Sequence, residues 1–212
     1  MESALRRNLP PDLKLIETFG FDPALGFQNL DLHLSRMEKS AQGFGIEFDR
    51  NAAQHFLSAV SEKGTQRCRM TLNLKGKLDI QVFPISSAVG VWRVMVAKDR
   101  LRSDDRWLRV KTTERQFYDD ARANLPNGVD ELIFLNERDE ICEGTITNVF
   151  ADFGQGLITP PLTCGLLPGV LRQKLLDAGE AAEAVLTERD IKRAQRLFVG
   201  NSLRGLIRAH LI

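Results

Sequence analysis

Residues 131–160 read ELIFLNERDEICEGTITNVFADFGQGLITP, and this stretch decides how the second half of the chain folds. The runs ELIFLN, EICEGT, TNVFADF and GLITP are short and rich in apolar residues. Turn residues separate them at ERDE (137–140) and FGQG (153–156). Short apolar runs between turns are typical of β-strands. The sequence therefore predicts a succession of strands here.

Helical segments and one further strand flank this region. PGVLRQKLLDAG (168–179) has a proline near its start and Gly179 at its end, as helices often do. Thr187 precedes ERDIKRA, with Asp190 at the third helical position, which is close to a capping box. TTERQFYDDARANL (112–125) has an amphipathic helical pattern, and RLFVG (196–200) is strand-like. We expect a β-rich second half with short helices.

The first half mixes strands and helices. LKLIETFGF (13–21) is strand-like, and in residues 29–45 apolar side chains recur at helical spacing: Leu30, Leu34, Met37 and Ala41. Asp49 can cap a second helix that Gly64 closes. Two strand-like runs around Lys75 and Gly76 predict a hairpin, and VWRVMVA (91–97) predicts another strand.

The polar segment SDDRW (103–107) indicates a loop that joins the two halves. We therefore expect an α+β protein with a smaller N-terminal lobe, residues 1–105, and a larger, β-rich C-terminal lobe, residues 106–212.

Composition excludes several classes of protein. The net charge of +1 provides no electrostatic footprint for nucleic acid, and 27% charged residues are ordinary for a soluble protein. The sequence has neither a long apolar run for a membrane span nor an apolar signal core near its N-terminus. Cys68, Cys142 and Cys164 are isolated, which fits neither a disulfide framework nor a CxxC metal site. We expect a cytoplasmic protein with no membrane or nucleic-acid partner.

Lys111 is the first candidate for chemistry. In LRVKTTERQFY (108–118) we expect it to lie just after a short strand and just before a helix, which would hold it at a defined point. Burial of an amine at a fixed point favours its neutral form, which condenses with carbonyl groups. An ordinary structural lysine is the competing interpretation, and the local sequence alone favours it.

Glu143 and the start of the 168–179 helix are further candidates. Glu143 precedes Gly144 at a strand end, where a carboxylate could pair with a cationic ring nitrogen or simply face solvent. Asn148 could make a turn or a cofactor contact. The helix starts with amides at Gly169, Val170 and Leu171 that could bind a phosphate, and Ser202 in GNS (200–202) could complete such a site. An ordinary helix start and an ordinary turn are the alternatives.

Other catalytic classes lack their motifs. His33, His55 and His210 do not have metal-ligand spacing, and we expect packing or surface roles for them and no metal site. GxSxG, HExxH and Walker-type phosphate loops are missing from the sequence.

Five segments together resemble one family. HLSRMEKSA (33–41), KTTERQFYDDAR (111–122), NERDEICEGTITNVF (136–150), LITPPLTCGLLPGVLR (157–172) and VGNSLRGLI (199–207) follow the order seen in fold type IV pyridoxal phosphate enzymes. This class includes branched-chain aminotransferases, D-amino acid aminotransferases and aminodeoxychorismate lyases. The resemblance implies a two-lobe fold like that of D-amino acid aminotransferase. Within the class, the chain is most similar to the aminodeoxychorismate lyases.

The resemblance implies a role for each matching residue. Lys111 is then the Schiff-base lysine and general base, and Glu143 the partner of the pyridine nitrogen. Arg36 matches the arginine that contacts the cofactor phosphate. The remaining cofactor-binding residues are implied to be Tyr118, Asn148, Val170, Leu171 and Ser202.

Departures from the family pattern affect the details. The spacing from Lys111 to Tyr118 varies across the class, and Leu171 replaces a hydroxyl residue, so that only its backbone amide can serve. Val110 stands where related sequences often have histidine. The N-terminal lobe is also shorter than usual.

The implied reaction is conversion of 4-amino-4-deoxychorismate to 4-aminobenzoate and pyruvate, a step of folate biosynthesis. The alternative is an aminotransferase for branched-chain or D-amino acids, which would use the same residues. A cofactor-binding protein without turnover and a two-lobe binding module without the cofactor are further readings. A small amine substrate and a homodimer are implied partners. Arg109, Arg172 and Arg204 are candidates to bind substrate carboxylates, although surface roles are the simpler expectation.

Overall fold

The computed structural model describes residues 9–60, 64–85 and 90–212. The chain forms two compact units, Met1–Ser87 with Val110–Glu114 and Ala88–Arg109 with Arg115–Ile212. This division differs from the expected boundary between residues 105 and 106. The strand at 92–101 pairs within the second unit, whereas residues 111–113 pair with a strand of the first. The chain therefore crosses between the units three times, which a single boundary in the sequence cannot represent.

The first unit is built on a four-stranded antiparallel sheet. Its strands are β1 Lys14–Asp22, β2 Gly26–Phe27, β3 Gln66–Asn73 and β4 Leu78–Pro84, in the order β2–β1–β3–β4. The hairpin predicted around Lys75 and Gly76 is confirmed as the β3–β4 connection. In β1, Leu15, Ile16 and Glu17 are all buried, and successive strand side chains point to opposite faces. Both faces of β1 are therefore covered.

Two helices accompany this sheet. The predicted first helix is confirmed as α1 Leu30–Phe44, which packs on β1 through its buried face and ends at Gly45 in the left-handed conformation. Asp49 caps α2 Arg50–Ser58 by accepting from the Ala52 amide, as predicted. The expectation that this helix continues to Gly64 is wrong, because it ends at Ser58. Residues 61–63 lie outside the described residues.

The second unit contains an eight-stranded sheet, six strands of which form a closed ring. The eight strands are β5 Trp92–Leu101, β6 Glu131–Asn136, β7 Ile141–Gly144, β8 Asn148–Asp152, β9 Leu157–Thr159, β10 Ala181–Glu183, β11 Arg196–Asn201 and β12 Gly205–Leu211. The ring consists of β5, β6, β7, β8, β11 and β12. The order is β10–β9–β8–β11–β12–β5–β6–β7, and β7 also pairs with β8. This last pairing, in which Glu143 lies opposite Asn148, closes the ring. The strands predicted in 131–160 are thus confirmed, whereas β10 and β12 were not expected.

All six ring strands contribute to one apolar cluster. Residues at every second position of a strand, such as Ile133 and Leu135 of β6 or Val149 and Ala151 of β8, belong to this cluster. Their intervening neighbours are buried in two other clusters, one with Phe134 and one with Phe150. Because both faces of these strands are buried, their sequences are almost continuously apolar rather than alternating.

Three short helices and two turns complete the second unit. The helices are α3 Gln116–Ala123, α4 Val170–Asp177 and α5 Glu188–Arg193, and 3-10 turns occupy Arg106–Arg109 and Leu162–Cys164. The helices predicted after Lys111 and after Pro168 are confirmed, although both are shorter than their patterns. Leu171 and Leu175 of α4 pack on Phe150 of the ring. Among the described residues, none of the helices has the length and apolar character needed to cross a membrane.

The predicted cap at Thr187 is confirmed as a complete capping box. The Thr187 side chain accepts from the Asp190 amide, and the Asp190 carboxylate accepts from the Thr187 amide at 2.8 Å. We predict that Thr187→Ala lowers the free energy of unfolding by about 1 kcal/mol, as loss of an N-cap usually does. Thr187→Ser, which keeps the hydroxyl, should retain most of the stability in urea denaturation. Equal stability of the alanine and serine variants would contradict this role.

Candidate active site

Lys111 is held in the first unit by its backbone. The Ile16 amide donates to the Lys111 carbonyl at 2.9 Å, and the Thr113 amide donates to the Lys14 carbonyl at 2.9 Å. Leu15 and Thr112 form the bridge between these two bonds. Lys111 therefore lies beside β1, although about a hundred residues separate the two in sequence. The expectation that Lys111 follows a short strand is wrong, because a 3-10 turn, Arg106–Arg109, precedes it. Its pairing to β1 holds it at a defined point instead.

A buried polar cluster lies on β1 and α1 in the same unit. The Arg36 guanidinium donates from Nε to Oε1 of Glu17 at 2.8 Å and from Nη2 to Oε2 at 2.6 Å. His33 Nδ1 lies 2.6 Å from the same Oε2. Glu17 and His33 are each 1% exposed. Arg36, the predicted phosphate ligand, is thus fixed by a carboxylate that the sequence analysis did not single out.

The protonation states in this cluster follow from its contacts. Burial would raise the pKa of Glu17, but the charge of Arg36 and the hydrogen bonds from His33 and Arg36 outweigh it and hold the pKa at about 2. Burial lowers the pKa of His33; contact with Glu17 opposes this shift, and the charges of Arg36 and Lys111 reinforce it. At neutral pH, Glu17 is therefore a carboxylate. Because a carboxylate only accepts, neutral His33 donates to it from Nδ1.

Glu143 lies in the second unit with both carboxylate oxygens engaged. The Tyr118 hydroxyl donates to Oε1 at 2.8 Å, and the Leu167 amide donates to Oε2 at 3.1 Å. Burial together with the charge of Glu143 raises the pKa of Tyr118 above its ordinary value, so the phenol keeps its proton. Glu143 is 6% exposed, which excludes the solvent-facing alternative. The predicted cofactor contact of Tyr118 stays a prediction, since its hydroxyl contacts Glu143.

Asn148 connects the ring to the start of α4. It lies opposite Glu143 in the β7–β8 pairing, and its Nδ2 donates to the Leu167 carbonyl at 3.1 Å. A Cβ atom at Gly169 would lie 1.9 Å from Asn148 Oδ1. Only glycine therefore lets the N-terminus of α4 come this close to Asn148.

The candidate phosphate-binding segments also lie together. Gly169 precedes α4 and has no side chain to cap the amides of Val170 and Leu171. A Cβ atom at Gly200, near the end of β11, would lie 2.8 Å from Leu171 Cδ2. Ser202 directly follows β11. The first turn of α4 and the end of β11 are thus packed against each other, as a shared phosphate site would require.

Glu131 orders the turn that follows Glu143. It is 0% exposed and accepts from the amides of Thr145 and Ile146 at 3.0 and 3.2 Å. The hydroxyls of Thr145 and Thr147 also donate to it. Arg122 Nη1 lies 3.6 Å from Glu131 Oε1. One buried carboxylate thereby provides acceptors for the Thr145 and Ile146 amides of this turn.

The three arginines considered for carboxylate binding have other contacts. Arg172 is buried, pairs with Glu183 and donates to the Pro160 carbonyl, so the expectation of a surface role is wrong for it. Arg109 donates to the Ser103 carbonyl at 3.3 Å. The guanidinium of Arg204 stacks on the Trp92 ring at 5.9 Å.

Sequence reasoning missed Glu17 and Glu131. Each is an acidic residue inside an otherwise apolar strand segment, LIETF and ELIFL, and this mismatch was the available signal. A charged residue at a buried strand position requires partners. Apart from the adjacent Leu132 amide, the partners of Glu17 and Glu131 lie nine or more residues away in sequence.

Comparison with known proteins identifies a family. The sequence pattern of the amino-transferase class IV family matches residues 14–212. A protein of Schizosaccharomyces pombe, provisionally named aminodeoxychorismate lyase, is 27% identical over 209 residues, which are 93% of this chain and 89% of its own length. The predicted family and its mixed α/β fold are thereby confirmed.

Two solved structures extend the comparison. One from Mesorhizobium loti, provisionally named an amino-acid aminotransferase, is 45% identical with a TM-score of 0.88 and covers 95% of this chain and 100% of its own. The other is the PLP-bound form of a Mycobacterium tuberculosis protein named as a hypothetical aminotransferase. It is 17% identical with a TM-score of 0.77, covers 97% of this chain and 87% of its own, and shares the fold alone.

We predict that Glu131→Gln lowers the free energy of unfolding by about 3 kcal/mol, because an amide cannot accept from all of these donors and Arg122 loses its counter-ion. Urea denaturation measures the change. The matched control is Asp139→Asn, whose carboxylate is 76% exposed and pairs with Arg100 on the surface. It should change stability by about 0.5 kcal/mol or less. A similar small effect of both substitutions would contradict the proposed ordering of the turn.

We predict that Gly169→Ala displaces Asn148 and destabilises the protein by about 1–3 kcal/mol, the usual cost of overpacking. The comparison variant is Gly90→Ala, since among the described residues nothing lies within 4 Å of a Cβ atom at position 90. Thermal unfolding of both variants measures the difference. Unchanged stability of Gly169→Ala would show that the close approach of Asn148 is not constrained.

Proposed function

This chain belongs to the amino-transferase class IV family, and we propose that it converts 4-amino-4-deoxychorismate to 4-aminobenzoate and pyruvate with pyridoxal 5'-phosphate (PLP) as cofactor. The observation that carries the proposal is the pairing of the Lys111 segment with β1, which also bears the carboxylate that fixes Arg36. The Lys111 segment and the Arg36 guanidinium, which we propose to bind the phosphate, are thus both attached to one strand. Likeness to the Schizosaccharomyces pombe relative along 93% of the chain supports the lyase reaction in particular.

The residues fit PLP by their chemistry. The aldehyde of PLP can form a Schiff base with an amine, which Lys111 supplies. A phosphate requires donors such as Arg36 and the first amides of α4, where glycine permits the close approach seen at Asn148. A basic pyridine nitrogen requires a buried carboxylate such as Glu143. The residues that would hold the cofactor are Arg36, Lys111, Tyr118, Glu143, Asn148, Val170, Leu171 and Ser202.

The lyase reaction needs a proton to be moved and a C–O bond to be broken. Bound PLP supplies an electron sink for the carbon that carries the substrate amine. The Lys111 amine would take the proton from this carbon as general base. Enolpyruvate leaves from the adjacent carbon. The Lys111 ammonium would then give the proton to the methylene carbon of enolpyruvate, which becomes pyruvate. Atoms balance without water or a second substrate, and the ring becomes aromatic.

Glu143 and its hydrogen-bond donors would support the electron sink. A carboxylate next to the pyridine nitrogen keeps that nitrogen protonated. Tyr118 and the Leu167 amide hold both carboxylate oxygens, so Glu143 would keep one orientation during turnover. We also propose that the protein acts as a homodimer, as the family resemblance implies.

An aminotransferase is the second candidate function, and the 45% identity to the Mesorhizobium loti protein favours it. In this reaction a branched-chain or D-amino acid would donate its amine, and a 2-oxo acid would receive it. The same Lys111 amine would move the proton, so the residues described above serve both reactions.

Incubation of the PLP-loaded protein with 4-amino-4-deoxychorismate, without any oxo acid, separates the two candidates. We predict equal amounts of pyruvate and 4-aminobenzoate. Lys111→Ala should release neither, whereas Lys98→Ala, which removes an exposed lysine of β5, should match the wild type. Amine transfer from L-leucine to 2-oxoglutarate, with no pyruvate from aminodeoxychorismate, would reject the lyase and assign the aminotransferase reaction.

A further inference from the structure

Glu17 occupies a position where an apolar residue would pack more simply. Its neighbours in β1, Leu15, Ile16 and Phe19, are buried and apolar, and the Glu17 side chain itself is 2% exposed. Removing a carboxylate from water costs several kcal/mol unless partners compensate. Replacement of a buried ion pair by apolar residues is often neutral or stabilising. Stability alone therefore does not explain a carboxylate at this position.

The contact between Glu17 and Arg36 selects one edge of the guanidinium. Nε and Nη2 face the two oxygens of Glu17 at 2.8 and 2.6 Å, which is a bidentate arrangement. The planar group also has an end edge, formed by Nη1 and Nη2, with the same geometry for two acceptor oxygens. Engagement of the first edge therefore determines where the end edge points.

His33 fixes Glu17 in turn. His33 and Arg36 are three residues apart on α1 and thus lie on the same helix face. His33 donates from Nδ1 to the oxygen that also accepts from Arg36 Nη2. The imidazole also packs against the ring of Phe19, which is fully buried; the ring centroids are 5.2 Å apart and the planes are tilted by 49°. The carboxylate is consequently held from the strand and from two positions of the helix.

We propose that Glu17 and His33 are positioning residues that hold Arg36 in the orientation in which it binds the phosphate of the cofactor. The proposal rests on the proposed use of PLP. It assigns to this pair a role in recognising the phosphate, separate from any contact with the aldehyde or the pyridine ring. Neither residue touches the reacting atoms in this role.

Two effects of Glu17 on phosphate binding oppose each other. Its negative charge repels an anionic phosphate, whereas its hydrogen bonds remove the rotamer freedom that Arg36 would otherwise lose on binding. Arg36 neutralises Glu17 at direct contact, so the repulsion acts through a paired charge. The orienting effect therefore outweighs the repulsion, and loss of Glu17 weakens binding.

The test compares PLP with pyridoxal, which has the aldehyde and the ring but no phosphate. Dissociation constants of both compounds are measured by equilibrium dialysis of the 212-residue chain. We predict that Glu17→Gln weakens PLP binding by about 10- to 100-fold, the effect of losing charge-assisted hydrogen bonds. Pyridoxal binding should change by less than about 3-fold. Asp31→Asn, an exposed carboxylate on α1 that pairs with Arg50, should change neither constant.

Substitutions at His33 test the same mechanism if Glu17→Gln does not fold. Asn can donate to Glu17 from nearly the same place as Nδ1, so His33→Asn should retain phosphate-specific affinity. His33→Leu lacks the donor and should lose it. In an Arg36→Lys background, Glu17→Gln should have no further effect on the ratio of the two constants, because Glu17 acts through Arg36.

Each outcome decides between the two proposals. Wild-type protein that binds neither PLP nor pyridoxal would overturn the proposed function and this inference with it. Wild-type protein that binds PLP more tightly than pyridoxal, with an unchanged ratio in Glu17→Gln and His33→Leu, would overturn only the positioning role. Tighter PLP binding by Glu17→Gln would show that repulsion dominates and would also overturn it.

Discussion

Backbone hydrogen bonds to β1 fix Lys111 in the first unit. The amides of Ile16 and Thr113 and the carbonyls of Lys14 and Lys111 form this link, and the Thr113 hydroxyl accepts from the Lys14 amide at 3.0 Å. The chain leaves the second unit for only five residues, Val110–Glu114, and then returns. Because backbone pairing does not depend on the state of the lysine amine, it would keep Lys111 in place through the covalent and protonation changes of the proposed reaction.

Buried carboxylates organise both units around the candidate site residues. In the first unit, Glu17 fixes Arg36; in the second, Glu131 orders the turn that joins Glu143 to Asn148. Glu143 and Asn148 form the pair that closes the six-stranded ring. Each of these acids is compensated by several donors, as burial of a charge requires. Arg36 and Glu143, which have proposed roles in cofactor binding, are thus positioned by the contacts of Glu17 and Glu131.

Local sequence signals predicted much of the fold. Apolar runs between turns indicated β6 to β9, and the caps at Asp49 and Thr187 were evident from residue type and spacing. Glu17 could not be paired with Arg36 from sequence, because a strand–helix contact determines that pairing. Local sequence patterns also could not predict the division into units. That division depends on the pairing of β5 with β6 and of residues 111–113 with β1. Residue roles came from the family resemblance, and local physics alone left each of them open.

The central claim is that Lys111 carries the cofactor. Reduction of the PLP-treated protein with borohydride converts a lysine–aldehyde linkage into a stable bond, and peptide mass spectrometry then locates it. We predict a phosphopyridoxyl group on Lys111 in the tryptic peptide VKTTER (110–115), in near-stoichiometric amount. A label spread over exposed lysines such as Lys98, or a protein without label, would contradict the account.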